Sequence, residues 1–161
     1  MTIPIPRLAL KPAAEADLPL LQQWLAQNRL PTEDIAQIWH CLYLAMCPAG
    51  ETVVGIGGIE RCNQDGLLRS LVIAAPFRQQ GYGQQLCHQL IDQAKQEGIQ
   101  TLYLLTNTAE QFFAKLGFQV LERQAAPVAL KRTAEFSRLC PDSAVCMRLS
   151  LSATSTSVSG L

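Results

Sequence analysis

The chain has 161 residues, enough for a single compact core; at 48% apolar and 16% charged it is not a disordered polyelectrolyte. Basic and acidic residues balance at 13 each, so overall charge gives no case for nucleic acid or an anionic membrane as a partner. No apolar run approaches the roughly 20 residues that span a bilayer, and Met1-Thr2-Ile3-Pro4-Ile5-Pro6 lacks the basic-then-apolar layout of a secretory signal, so the expected compartment is the cytoplasm.

Arg7 to Lys11 reads as a first strand, stopped by Pro12. Glu15 to Gln27 carries Leu18, Leu21, Trp24 and Leu25 at helical spacing. Pro31 opens a second short helix, with Thr32 as cap and Ile35 and Ile38 apolar. Cys41 to Met46 is a strand, followed by a turn at Pro48-Ala49-Gly50. Thr52 to Arg61 is the next strand, and Asn63-Gln64-Asp65-Gly66 turns the chain back. Leu67 to Ala74 is nearly all apolar and reads as a central strand.

The helix after Gly83 presents Leu86, Leu90, Ile91 and Ala94 on one face, and Gly98 ends it. Thr101 to Thr106 is a buried-type strand. Ala109 to Leu116 is a short helix closed by Gly117, and Phe118 to Glu122 begins a strand. Pro127 to Leu139 has weak helical periodicity, and Ala144 to Leu151 alternates as a last strand. The order β-α-α-β-β-β-α-β-α-β-(α)-β is a mixed α/β layout with no internal repeat. It predicts one domain over residues 1–151 and a Ser/Thr-rich tail over 152–161.

Six cysteines are present and none forms a Cys-x-x-Cys pair, so ordinary zinc spacing is absent and no metal site is expected. Burial as small apolar residues explains most of them. His40 and His88 stand alone and receive no role. The chemistry concentrates instead at Arg78-Gln79-Gln80-Gly81-Tyr82-Gly83. Two glycines at a helix start leave backbone N–H groups bare, and the helix dipole adds partial positive charge, which suits a phosphate. A dinucleotide fold would need a third glycine, but Gln85 and Leu86 follow. A P-loop would need Gly-Lys-Ser/Thr, which does not occur. A purely structural turn is the remaining alternative.

The downstream context decides against a mere turn. Strand, Arg-x-x-Gly-x-Gly loop and helix are followed by a second apolar strand and by Ala109-Glu110-Gln111-Phe112-Phe113-Ala114-Lys115-Leu116-Gly117-Phe118. Together they resemble the GCN5-related N-acetyltransferase (GNAT) superfamily, in its acetyl-CoA-binding motif and its Lys-x-Gly-Phe motif, over roughly residues 5–150. The resemblance implies a GNAT fold: a central, mixed, mostly antiparallel sheet, splayed between its fourth and fifth strands and flanked by helices. It implies that acetyl-CoA lays its pantetheine arm in that gap, along Leu71, Val72 and Ile73, in the manner of an added strand. Its pyrophosphate would rest on the backbone N–H groups of Gln79, Gln80, Gly81, Tyr82, Gly83 and Gln84. Arg78 occupies the family's Arg/Gln position. Gln79 stands where many members have glycine, which is tolerable if its φ is negative. Tyr82 would pack at the cofactor's edge, Asn107 would hydrogen-bond the pantetheine arm, and Phe113 is counted with the cofactor residues.

Two further stretches look like the arsenic-resistance-associated N-acetyltransferases. One is Leu67-Leu68-Arg69-Ser70-Leu71; the other runs from Leu102 through Phe118 to the segment Glu135-Phe136-Ser137-Arg138-Leu139-Cys140-Pro141-Asp142-Ser143-Ala144-Val145. The Leu-Thr-x-x-Thr…Phe-Phe pattern is also similar to the acetyltransferase domain of N-acetylglutamate synthases. These resemblances imply a small amino-acid-like acceptor with an α-amine and an anionic group. The implied reaction is direct attack of that amine on the thioester, its carbonyl polarised by the Leu71 backbone N–H.

The chain also departs from the family pattern. Leu67 stands where many relatives carry a glutamate base, and Phe113 where many carry a tyrosine acid. Glu60, the nearest carboxylate on the preceding strand, could act through water or be a solvated strand-end charge. If strand side chains alternate, Arg69 shares the cleft face of Leu67 and Leu71. Its partner is then either a substrate anion, held by the guanidinium fork, or a structural ion pair with Glu60 or Asp65. Lys131, Arg132 and Arg138 read as a solvated face or as the acceptor side. Cys140 and Cys146 flank the Pro-Asp-Ser-Ala-Val turn, where packing is the simpler reading than trivalent arsenic.

The expectation is an acetyl-CoA-dependent N-acetyltransferase for a small amino acid or amino-acid-like toxin, linked to arsenic resistance. A non-catalytic acetyl-CoA or metalloid sensor and a protein-lysine acetyltransferase are the alternatives. No nucleic acid or membrane partner is expected, and a homodimer is left open.

Overall fold

In a computed structural model, which describes residues 6–47 and 51–151, the chain forms seven strands: β1 (Ala9–Pro12), β2 (Leu42–Cys47), β3 (Thr52–Cys62), β4 (Asp65–Ile73), β5 (Thr101–Thr106), β6 (Gln119–Leu121) and β7 (Val145–Ser150). Five α-helices accompany them: α1 (Leu18–Gln27), α2 (Ile35–Ile38), α3 (Tyr82–Gln96), α4 (Glu110–Lys115) and α5 (Val128–Lys131). The strands make one sheet in the order β1-β2-β3-β4-β5-β7-β6. β1–β2, β2–β3, β5–β7 and β6–β7 are antiparallel, and β4–β5 is parallel. The mixed, mostly antiparallel sheet expected from the sequence is therefore present. The expected turn at Pro48-Ala49-Gly50 and the tail at 152–161 lie outside the described residues. No helix among the described residues is long and apolar enough to cross a membrane.

The chain divides into two compact units. One comprises the described residues to Ile59 with Ser70–Leu90, the other Glu60–Arg69 with the described residues from Ile91 on. In the first, α1 turns Leu21 and Leu25 fully inward, as their spacing requires, onto Ala13, Ile35, Leu42, Leu44, Ile56 and Val72. The backbones come close here: a Cβ on Gly58 would lie 2.4 Å from the Cys41 carbonyl oxygen. The helix expected from Glu15 begins as a 3₁₀ turn (Glu15–Asp17), because Pro19 suits only the first turn of the α-helix proper.

In the second unit, Cys62, Leu67, Tyr103, Ala126, Leu130, Phe136 and Cys146 form the core. Its most regular feature is the β5–β7 ladder, from Thr101↔Ser150 to Thr106↔Val145. β5 has the bounds its sequence suggested, and Gly117, which closes α4, has φ 104°. β4 joins β5 from Asp65↔Thr101 to Leu67↔Tyr103, although β4 continues to Ile73 and β5 to Thr106. The weak periodicity of 127–139 resolves into α5 and a π-helical turn, Glu135–Leu139. Thr133 separates the two: its hydroxyl donates to the Leu130 carbonyl (2.7 Å) and accepts from the Phe136 N–H (3.4 Å). Such local side-chain bonds compete with a continuous α-helix.

Candidate active site

In the first unit, β4 passes through a 3₁₀ turn (Ala75–Phe77) into an exposed loop that opens α3. The Ala74 N–H donates to the Val54 carbonyl at 2.8 Å, fixing the strand's exit. Arg78 is spent on the scaffold: Nε donates to the Ile73 carbonyl (2.8 Å) and Nη2 to Asn28 Oδ1 (2.9 Å). Gln80 reaches back to the Pro76 carbonyl at 3.1 Å. Tyr82 is buried and meets Phe77 edge to face at 6.1 Å.

This folding leaves residues 78–81 exposed. Gln79 and Gly81 take φ values of 63° and 93°, both in the left-handed region, and Arg78 before them is extended. A negative φ at Gln79 was the condition for tolerating a non-glycine residue there, and the structure departs from it. Glutamine carries a steric cost of about 1 kcal/mol in this region. Arg78 and Gln79 lie in a hydrogen-bonded turn, and the N–H groups of Tyr82, Gly83 and Gln84 fall in the first turn of α3, where no intrahelical acceptor exists. α3 is 15 residues long and has no acidic residue in its first turn, so no first-turn carboxylate competes for an anion.

The strand before the loop holds a second departure. Ser70 has φ 62° in the middle of β4, the mark of a bulge. It interrupts the alternation that was to put Arg69 and Leu71 on one face. Leu71 instead lies where a Cβ on Gly57 would meet it at 2.5 Å, beside Leu90 of α3. Two residues back, in the second unit, Arg69 turns to a different set of neighbours.

Arg69 is buried, its side chain 0% exposed. Nη1 meets Glu60 Oε1 at 3.0 Å and Nε meets Glu135 Oε2 at 3.3 Å. Glu60 was an anticipated partner; Glu135 was not. Asp65, the other anticipated partner, acts on Tyr103: burial pushes the Tyr103 hydroxyl up, the Asp65 charge adds to this, and Arg148 opposes it. Arg69 thus has a carboxylate on each side of its guanidinium. Glu135 opens the π-helical turn, and its carbonyl accepts the Cys140 N–H at 3.0 Å. Arg123 clasps the same turn, donating to the carbonyls of Phe136 (2.8 Å), Cys140 (3.1 Å), Glu135 (3.4 Å) and Pro141 (2.5 Å). Its guanidinium also lies 5.6 Å from the Phe136 ring. Sequence reasoning passed over Glu135 and Arg123 because their partners are distant in the chain. The one available signal was an acidic residue flanked by Ala134 and Phe136.

The remaining candidates are dispersed in this second unit. Asn107 is exposed after β5, where Thr106 Oγ1 accepts the Ala109 N–H at 3.0 Å. Phe113 is buried edge to face between Phe112 (5.1 Å) and Phe118 (5.7 Å). Burial pushes the Cys146 thiol up to about 11 despite Arg123. In the first unit, burial pushes the Cys87 thiol up to about 12. Neither is poised as a nucleophile. Among the described residues no group of three or more His, Cys, Asp or Glu side chains converges to hold a metal.

Residues 10–118 match the family model described as the acetyltransferase (GNAT) family. No curated protein matches the chain. Among solved structures, N-acetylglutamate synthase from Neisseria gonorrhoeae, complexed with coenzyme A and L-arginine, is similar at 18% identity and a TM-score of 0.73, over 91% of this chain and 34% of that one. The chain thus spans about a third of that enzyme. Rv2747 from Mycobacterium tuberculosis, solved with CoA, is similar at 21% identity and a TM-score of 0.73, over 89% of this chain and 99% of that one. An IAA acetyltransferase from Bacillus cereus is similar at 17% identity and a TM-score of 0.65, over 89% and 99% of the two chains. At these identities the likeness is one of fold.

Proposed function

The chain belongs to the GNAT acetyltransferase family, and from that premise we propose that it moves the acetyl group of acetyl-CoA onto the amine of a small amino acid or amino-acid-like acceptor. The exposed loop that opens a 15-residue helix without first-turn acids carries this reading. Those residues fit a pyrophosphate: they offer several donors and a helix N-terminus, with no anion of their own in the way. Gln79, Gln80, Gly81, Tyr82, Gly83 and Gln84 would hold the diphosphate through the backbone. Arg78 would fix the loop rather than touch the ligand. Leu71, Val72 and Ile73 would line the pantetheine arm, and the Leu71 N–H would polarise the thioester carbonyl. Asn107 and Phe113 are proposed as further cofactor contacts. Bound acetyl-CoA supplies an activated acetyl group; the chain's own residues must bind the acceptor and take its proton.

For that second task we assign Arg69 and Glu60. The acceptor's carboxylate, or a phosphinate or arsonate in its place, would engage the Arg69 guanidinium. Glu60 would accept the ammonium proton, because Leu67 cannot. The segment from Glu135 to Val145 resembles arsenic-resistance acetyltransferases, and on that ground we include arsenic-containing amino-acid analogues among the acceptors.

A thiol-release assay with acetyl-CoA against amino acids, phosphinate and arsenic-containing analogues, and lysine peptides tests the proposal. The expected result is release that depends on a free amino acid or analogue and yields an N-acetylated product by mass. Measurable CoA binding without release for any acceptor would overturn it in favour of a sensor. Release with peptides alone would move the acceptor class to protein lysines.

A further inference from the structure

We infer that the two carboxylates on Arg69 have different tasks: Glu135 is its fixed counter-ion, and Glu60 is an exchangeable one that the α-carboxylate of an acceptor displaces. This rests on the proposed acetyl transfer to an amino acid and adds how the acceptor's proton is removed.

The two partners differ in burial and in anchorage. The Glu135 side chain is 6% exposed, that of Glu60 20%. Glu135 belongs to a turn whose carbonyls Arg123 gathers, and its own carbonyl accepts from Arg123 and from the Cys140 N–H. π-helical turns are rare and recur at functional sites; this one holds a carboxylate against the Arg69 Nε. Glu60 instead sits near the end of β3 with part of its side chain exposed. Withdrawing Glu60 from the guanidinium therefore costs less than withdrawing Glu135, because its charge can regain more hydration.

Charge then dictates an exchange rather than an addition. Two carboxylates already meet the guanidinium. A further carboxylate bound beside both glutamates would crowd three anions around one buried guanidinium, which is strongly unfavourable. A carboxylate that replaces Glu60 on Nη1 leaves the Arg69 environment unchanged and frees the Glu60 carboxylate.

In an α-amino acid the ammonium sits on the carbon adjoining the carboxylate, so the freed Glu60 finds it alongside. One proton passes from the ammonium nitrogen to a Glu60 oxygen, giving a neutral amine with its lone pair and a neutral carboxylic acid. An amine without an α-carboxylate does not release Glu60. The trio thereby selects α-amino acids over simple amines and couples recognition to deprotonation. Glu135 and Arg123 act through Arg69 and are positioning residues.

Calorimetry in the presence of CoA, with the L-amino acid that turns over fastest and with L-glutamate if none does, tests the exchange in the full-length wild type and in Glu60→Gln and Glu135→Gln variants. Removing the internal competitor is expected to tighten amino-acid binding in E60Q by about tenfold, while its kcat falls by about a hundredfold. E135Q is expected to weaken binding by about tenfold, and the α-amide of the same amino acid to bind wild type and E60Q alike. A structural role for Glu60 gives weaker or unchanged binding in E60Q instead, and that result overturns the exchange.

Solvent exchange of the Arg69 Nε–H, followed by arginine-selective NMR without ligand, is a second readout. Faster exchange in E135Q but not in E60Q is expected; the reverse order overturns the fixed role of Glu135. Tighter binding in E60Q with no turnover in wild type would sink the acetyl-transfer reading and leave the exchange standing. Turnover in wild type without tighter binding in E60Q would do the opposite, and no amino-acid binding in any variant would refute both.

Discussion

Replacing Arg69 with methionine isolates the energetics of the buried trio. Methionine keeps an unbranched stem but removes the charge that Glu60 Oε1 meets at 3.0 Å and Glu135 Oε2 at 3.3 Å. Breaking a buried ion pair from one side costs about 3–5 kcal/mol, because the abandoned charge stays desolvated. Glu135, 6% exposed, bears that cost in full, whereas Glu60, 20% exposed, regains part of its hydration. The expected loss is therefore near the lower end, about 3 kcal/mol. At a typical urea slope for a chain of this size, that moves the unfolding midpoint down by about 1–2 M.

Equilibrium urea unfolding of wild type, Arg69→Met and the double variant Arg69→Met/Glu135→Gln supplies the assay. The double variant should recover at least about 1 kcal/mol over the single, since it removes the more deeply buried orphan charge. A single-variant loss below about 1 kcal/mol, or a double variant less stable than the single, would refute the reasoning.

Gly55→Ala should destabilise the first unit by about 1–3 kcal/mol, because its Cβ would lie 2.6 Å from the Val72 carbonyl oxygen, a backbone atom that cannot swing aside; unchanged urea unfolding would contradict the close approach. At the left-handed loop position with φ 63°, Gln79→Gly should hold or raise stability by up to about 1 kcal/mol while Gln79→Val lowers it, and equal melting temperatures in all three proteins would count against that backbone. The Cys87 thiol lies at about 12 in the fold against an ordinary 9.0, so its raised value favours the folded state below pH 9. That contribution is lost as pH rises from 9 toward 12, at up to about 1.4 kcal/mol per pH unit, because the unfolded chain sheds its proton first. Cys87→Ala should flatten the alkaline limb of a stability–pH profile, with the remaining slope reflecting Cys146 and Tyr103, both also raised by burial; an identical slope in the variant would exclude this linkage.

Local signals in the chain gave the helix-face residues, β5 and the Gly117 stop, because each depends on periodicity or on a glycine within a few residues. The loop at 78–84 was equally visible, since Gly81 and Gly83 reveal an exposed backbone without any tertiary information. Ser70 and Gln79 were not visible as left-handed residues: nothing in serine or glutamine announces a positive φ, which the surrounding packing imposes. The Ser70 bulge then undid an inference that assumed strict alternation from Leu67 to Leu71. Arg69 announced itself as a charge inside an apolar strand, which says that a partner exists but not which one. Glu135 reaches it only through a π-helical turn that Arg123 clasps, and no spacing rule anticipates that turn.

The claim that α3 opens on a phosphate cradle is tested most directly by titrating CoA into wild type and a Gln84→Glu variant, with melting temperatures measured alongside. Gln84 is exposed in the first turn of α3, where a carboxylate suits the helix dipole by about 0.3–1 kcal/mol but repels a bound diphosphate. The expected result is an unchanged or higher melting temperature together with CoA affinity reduced by about tenfold. Equal CoA affinity in the two proteins, or none in wild type, would contradict the placement of the cofactor on this loop.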